Sequence, residues 1–230
     1  MIQAFIRISP FPPNAGKPPF FGDDKFGMIK ACTLSFLSAG ESTRTYLLDN
    51  CPKEYVQWFK KYGKGEIAEG VWGKKGSLYS AYDFARRRVG NDNSTILFLE
   101  DDYLWRPHTL PDFKLAVQQF GLATPYDHAG HYTKHGECMQ TYLCGNTTWR
   151  WCRTTTHTFG VTGKVFNAVP DDWYYGLHDW QMFTKLDIDG YRVYSPLYSM
   201  ATHLVDGLLA YNTNWQDIAN WYKQKVKELV

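Results

Sequence analysis

Short apolar runs alternate with segments of helical period along the first hundred residues. QAFIRIS (3–9) reads as a strand, followed by the proline- and glycine-rich loop PFPPNAGKPPFFGDD (10–24). MIKACTLSFLSA (28–39) spaces Ile29, Cys32, Phe36 and Leu37 as one helical face. TYLLDN (45–50) is a strand ending at Asp49, and PKEYVQWFKKYG (52–63) is a helix that opens on proline and stops at Gly63. EIAEGVW (66–72) gives a further short strand. GSLYSAYDFARRRVG (76–90) gives a helix with Ser77 at its N-cap and basic residues in its last turns. ILFLEDD (96–102) closes the series. Strands this apolar, separated by helices, predict an α/β protein with a mostly parallel central sheet covered on both faces. Ligands of such sheets bind beyond the carboxyl ends of the strands, where Asp49 and the acids at 100–102 fall.

After Trp105 the pattern changes. LPDFKLAVQQFG (110–121) is helical, whereas residues 122–146 are polar, rich in histidine and irregular. TWRWCRTTTHTFGVTG (148–163) has strand character, residues 165–190 pass through a loop into a helix, and YRVYSPLYSMATHLVDG (191–207) is a strand leading to His203. The tail, 214–230, is an amphipathic helix with Trp215, Ile218, Tyr222, Val226 and Leu229 on one side, expected to pack on its own domain. Neither a repeat nor a long linker divides the chain, so 1–230 is expected to be one domain.

Composition narrows the class. With 230 residues and 44% hydrophobic content there is ample material for a core, and a net charge of +2 gives no sign of a nucleic-acid partner. Nine tryptophans and sixteen tyrosines serve cores, but such residues also line sugar- and base-binding clefts. Five cysteines (Cys32, Cys51, Cys138, Cys144 and Cys152), odd in number and without CxxC spacing, read as reduced thiols. No apolar run approaches the ~18 residues of a membrane span, and the first residues lack a signal peptide's apolar core. A soluble cytoplasmic protein is expected, with the sequons at Asn93 and Asn146 unread.

The chemistry concentrates in Glu100, Asp101 and Asp102. Two like charges ~4 Å apart repel by roughly 1 kcal/mol in water and about 4 kcal/mol at a protein surface. Strand alternation puts Glu100 and Asp102 on one face and Asp101 on the other. A hard divalent cation held with substrate phosphates would relieve the repulsion; a solvated acidic turn is the plainer reading. Lys74 and Lys75 precede a helix and could meet a diphosphate there, or simply be solvated. His128, His131, His135 and Cys138 lack the spacing of a structural zinc site and read as a polar loop. Neither a GxSxG nucleophile elbow nor a P-loop is present.

The succession ending in ILFLEDDYL resembles the nucleotide-binding half of GT-A-fold glycosyltransferases, where an apolar strand ends in a DxD-type motif. IKACTLSFL is similar to the first helix of the family-2-like branch and TYLLDN to its second strand. GLHDWQMFTKLDIDGYRVYSP (176–196) resembles the stretch that carries an acidic pair, a helix and a Gly-Tyr-x-Val step, and ATHLVDG a late metal-binding histidine. The resemblance implies a three-layer α/β/α sandwich, with residues 1–105 binding the nucleotide-sugar, 106–210 the acceptor, and 214–230 the C-terminal helix. It implies that Asp49 contacts the base, Glu100 the ribose, Asp102 and His203 a Mn²⁺ or Mg²⁺ ion, and that Asp179 is the general base of an inverting transfer. Asp101 falls at the variable middle position. The donor would be a nucleotide-diphosphate sugar, a UDP-sugar in the first instance, and the acceptor a carbohydrate or glycan, free or on a protein or lipid.

Three departures stand out: Glu100 where many members have Asp, His178 where the first acid of the pair is usual, and the long loop at 10–24, which leaves only Ser9 as a nucleotide contact there. Trp149, Trp151, Trp173 and Trp180 are candidates for stacking on acceptor sugar. Two rivals remain. The half-kept pair at 178–179 would suit a non-catalytic nucleotide- or carbohydrate-binding module, and the acidic trio a two-metal phosphodiesterase or nuclease, though few further acids fall at strand ends.

Overall fold

A computed structural model describes residues 1–11, 18–90, 92–128, 130–133, 140–174 and 178–229. Its first half follows the predicted alternation: β1 (Ile2–Ile8), α1 (Lys25–Ala39), β2 (Thr43–Asp49), α2 (Lys53–Tyr62), β3 (Glu66–Gly70), α3 (Gly73–Arg88) and β4 (Thr95–Glu100). These strands pair in parallel in the order β3-β2-β1-β4. Their side chains alternate between two apolar clusters. Ile6 and Ile8 of β1 and Leu97 and Leu99 of β4 enter the cluster beneath α1, while Phe5, Ile96 and Phe98 enter the one beneath α3. With both faces of β1, β2 and β4 largely buried, little polar alternation survives in them, which is why they read as apolar runs; β3, at the sheet edge, stays partly exposed.

The second half comprises β5 (Tyr103–Trp105), α4 (Leu110–Phe120), β6 (Leu122–Ala123), α5 (Gly130–Thr133), β7 (Thr141–Cys144), β8 (Thr147–Cys152) and β9 (Phe159–Thr162). It continues through α6 (Gly163–Ala168), α7 (Asp171–Tyr174), α8 (Asp179–Ile188), β10 (Val193–Pro196), β11 (Ala201–His203) and α9 (Trp215–Glu228). The large sheet runs β3-β2-β1-β4-β9-β6-β10-β8-β7 and turns mixed beyond β4, where β9 joins it antiparallel. The whole is the three-layer α/β/α sandwich expected, with its parallel pairing concentrated in the first half. Among the described residues no helix is long and apolar enough to cross a membrane.

Several details differ from the sequence reading: the expected strand at 191–207, for one, is two strands, β10 and β11, which lie in different sheets. α3 begins at Gly73, so Ser77 lies inside the helix, its hydroxyl donating to the Lys74 carbonyl, and is not an N-cap. The strand-like segment 148–163 is two strands, β8 and β9, joined by a loop through the threonine-rich stretch at 153–158. α9 lays Trp215, Ala219 and Tyr222 against the core, and the Tyr222 hydroxyl bonds Ser38 of α1. It therefore packs on its own domain.

Candidate active site

The strand order reverses direction at β1, with β2 on one side and β4 on the other, and the crevice outside their carboxyl ends is where such sheets bind ligands. A cleft of about 630 Å³ opens there, within the range of small-molecule sites. Ser9 after β1, Asp49 and Asn50 after β2, Glu100 to Asp102 after β4, Lys74 of α3, His178 and Asp179 at the start of α8, and His203 of β11 all line it. Sequence positions up to 194 apart thus meet at one crevice.

Each acid of the trio has its own cation. Arg7 lies opposite Glu100 in the β1–β4 register and its Nη2 donates to Glu100 Oε1 at 2.6 Å. Lys25, in the first turn of α1, donates to Asp101 Oδ1 at 2.6 Å, and the Ser9 backbone N–H donates to Asp101 Oδ2 at 2.7 Å. The short β5–β11 ladder brings His203 Nε2 within 3.2 Å of Asp102 Oδ2. Burial drives the Lys25 ammonium toward neutrality, but Asp101 and Asp102 outweigh it and hold its pKa above the ordinary lysine value. Burial likewise pulls the His203 imidazolium down, yet Asp102 beside it, then Glu100 and Asp179, hold it above the usual histidine range. Burial would raise the Asp102 carboxyl, and His203 and Lys25 bring it below its ordinary value. The repulsion that makes three adjacent acids costly is met inside the protein itself.

One acid is left incomplete. Both Asp101 oxygens are engaged, whereas Asp102 Oδ1 is buried without a hydrogen-bond partner among the described residues, as is His203 Nδ1. An unpaired buried carboxylate oxygen costs roughly 1–3 kcal/mol or more. Ligand atoms of Glu100, Asp102 and His203 lie within 4.8 Å of one another. Two carboxylates and an imidazole around an orphaned oxygen fit a divalent cation such as Mn²⁺ or Mg²⁺. The triad includes Glu100, which the family resemblance puts on the ribose.

The other predicted residues are placed as follows. Asp49 is buried and its Oδ1 accepts from the backbone N–H groups of Trp72 (2.7 Å) and Gly73 (3.0 Å). These are the first amides of α3, so Asp49 occupies the helix terminus that would otherwise be open to a phosphate. Gly73 has φ +70, a conformation glycine adopts at least cost, and that turn sends Lys74 to the cleft. Lys75 is exposed and outside the cleft lining, where its neighbour Lys74 lies. Asp179 opens α8, its Oδ1 accepting from the Trp180 N–H at 2.7 Å, while Gln181 Oε1 accepts from the His178 N–H at 3.2 Å. Trp149 is fully buried and belongs to the core, which removes it as a stacking platform; Trp180 is 57% exposed. Among the histidines first considered for zinc, His128 Nδ1 accepts from the Gly130 N–H; His135 and Cys138 lie outside the described residues.

Arg7, Lys25 and His157 escape sequence reasoning. Arg7 leaves a faint sign, a charge inside an apolar strand. Lys25 and His157 leave none, because only the fold carries them to the acids.

No family model and no curated protein matches the sequence. Similarity appears among solved structures. The glycosyltransferase GlyE of Streptococcus pneumoniae TIGR4 superposes with a TM-score of 0.54 at 8% identity, over 96% of this chain and 59% of that one. The 4-diphosphocytidyl-2C-methyl-D-erythritol synthase of Anaerococcus prevotii gives 0.54 at 9% identity, over 98% and 96%. A nucleotidyl transferase from Methanothermobacter thermautotroptrophicus gives 0.50 at 12% identity, over 85% and 86%. This chain thus spans about three-fifths of the length of GlyE and nearly all of the two shorter proteins. Its fold is the GT-A-like fold found in glycosyl and nucleotidyl transferases.

Proposed function

We propose that the protein is a metal-dependent glycosyltransferase that moves a sugar from a nucleotide-diphosphate sugar to an acceptor hydroxyl. The observation that carries the reading is the incomplete acid, Asp102, grouped with Glu100 and His203 at the switch point of a GT-A-like sheet. Asp102, His203 and Glu100 would hold a Mn²⁺ or Mg²⁺ ion. A divalent cation there supplies Lewis-acid neutralisation of the departing diphosphate. Lys74 adds a positive charge at the cleft, with Lys75 next to it in sequence. Asp49, Asn50 and Ser9 line the cleft; the base, in the first instance uracil, would lie by Asp49 and Asn50, and Ser9 would contact the nucleotide. Asp101 keeps Lys25 and the β1 terminus in place.

Asp179 faces the same cleft and would take the proton from the acceptor hydroxyl as it attacks the anomeric carbon, giving inversion. Residues 106–210 then supply the acceptor side, a carbohydrate or glycan, and residues 1–105 the donor side.

Incubation with Mn²⁺, a panel of UDP-, GDP- and TDP-sugars and carbohydrate acceptors tests this. Release of nucleoside diphosphate, with inverted anomeric configuration in the product by NMR, is expected. Asp179→Asn should lower kcat about 10²–10⁴-fold with donor affinity unchanged. Release of pyrophosphate instead would indicate nucleotidyl transfer. Metal-dependent nucleotide binding without release, for every donor and acceptor, would indicate a binding module.

A further inference from the structure

Among the cleft groups that the proposed chemistry leaves unused is His157. The sequence around it is TTTHT, residues 154–158, and the threonines do the holding. Thr155 Oγ1 donates to Thr124 Oγ1 at 2.9 Å, and Thr124 Oγ1 donates to the Thr158 carbonyl at 3.2 Å. Thr158 Oγ1 accepts from the Glu100 backbone N–H at 3.1 Å, tying the loop to the acidic trio. Thr156 Oγ1 bonds the hydroxyl of Tyr103, whose ring stacks on His203 at 4.9 Å. The loop is thereby fixed to β4, β5 and the strand end after β6, and His157 is presented to the cleft.

The His157 ring lines that cleft, and its Nδ1 is buried without a hydrogen-bond partner among the described residues. Leaving such an atom unpaired costs more than an ordinary hydrogen bond returns, so the site is built for a group that arrives with the ligand. Burial keeps the imidazole below its ordinary pKa and therefore neutral at pH 7, with Glu100, Arg7, Asp179 and Lys74 the charged groups acting on it. Glu100 and Lys74 belong to the donor-nucleotide end and Asp179 to the acceptor end, so the ring lies where a sugar in transit would be. A neutral imidazole offers one donor and one acceptor, either of which a hydroxyl, itself donor and acceptor, can meet.

We propose that His157 is a specificity-determining residue that hydrogen-bonds a hydroxyl of the transferred sugar, so that the donor carries a sugar hydroxylated at that position. This rests on the nucleotide-sugar reading above. The test compares wild type, His157→Leu and His157→Asn, using the sugar nucleotide bound best in the donor panel, its monodeoxy analogues and the bare nucleoside diphosphate, all with Mn²⁺. Thermal melting confirms that each variant is folded.

In wild type the sugar nucleotide should exceed one deoxy analogue in kcat/KM, or in affinity if nothing turns over, by roughly tenfold or more. His157→Leu should erase that preference and leave bare nucleotide affinity within about twofold. His157→Asn, whose amide keeps a donor and an acceptor, should restore part of it. An unchanged deoxy preference in folded His157→Leu overturns the inference and leaves the transferase reading intact. So does equal weakening of sugar nucleotide and bare nucleotide, the mark of a merely structural role. A wild type that binds sugar nucleotides without turnover defeats the transferase reading, while the affinity comparison still decides His157. Failure of wild type to bind any of them defeats both.

Discussion

Two carboxylates, Asp102 and Asp127, are both buried and both beside a cation, yet the protein treats them differently. Asp127 is finished: its Oδ1 accepts from Arg150 Nη2 at 2.6 Å and from Ser195 Oγ at 3.2 Å, and its Oδ2 accepts from Tyr132 at 2.5 Å. Its own backbone N–H donates to Ser199 Oγ at 2.8 Å. The Arg150 guanidinium also lies 4.2 Å from the centre of the Tyr132 ring. Asp102 has one oxygen on His203 and the other without a partner among the described residues, and it lines the cleft. A buried ion pair contributes to a fold when its remaining valences are met, and signals a ligand when they are not. Asp127 ties β8 and β10 to the loop before α5; Asp102 is the acid that the proposed function assigns to a cation.

The contrast can be broken by substitution. Asp127→Ala should destabilise the fold by about 3–5 kcal/mol, because it strands the buried Arg150 charge; urea denaturation measures this, and the folded fraction should still bind nucleotide. Asp102→Asn should do the reverse. Nucleoside diphosphate release should fall about 10³-fold, while stability in the same denaturation changes by under about 1 kcal/mol, since functional groups are rarely the stabilising ones. A surface pair sets the lower bound. Arg88 grips Glu66 through two bonds of 2.6 and 2.8 Å, but both side chains face solvent. Arg88→Ala should cost no more than about 1 kcal/mol, and that cost should shrink in high salt.

The sequence spoke most clearly where local physics repeats. Apolar strands and helical faces up to Glu100 read directly, because β1, β2 and β4 are buried on both sides and each helix on one. The expected strand at 45–50 and helix at 52–63 fall within two residues of β2 and α2. The acids could be read as a group, and Asp49, Asp179 and His203 line one cleft with them. What did not read was set by register. Arg7 faces Glu100 because two strands ninety-three residues apart happen to align there. His203 reaches Asp102, a pairing only the family resemblance suggested, through a two-stranded ladder of three residues a side, too short to leave a period in the sequence. The loop carrying His157 interrupts a stretch whose β-branched residues look like strand throughout; its threonines serve as side-chain clamps, a use that propensity does not distinguish.

The most direct test of the incomplete carboxylate is a Mn²⁺ titration, read by the free-ion EPR signal, with nucleoside diphosphate present. Wild type and Asp127→Asn should each bind one Mn²⁺ per chain, and Asp102→Asn and His203→Ala should lose roughly tenfold or more in affinity. Equal Mn²⁺ affinity in wild type, Asp102→Asn and His203→Ala would contradict a metal centre at Asp102.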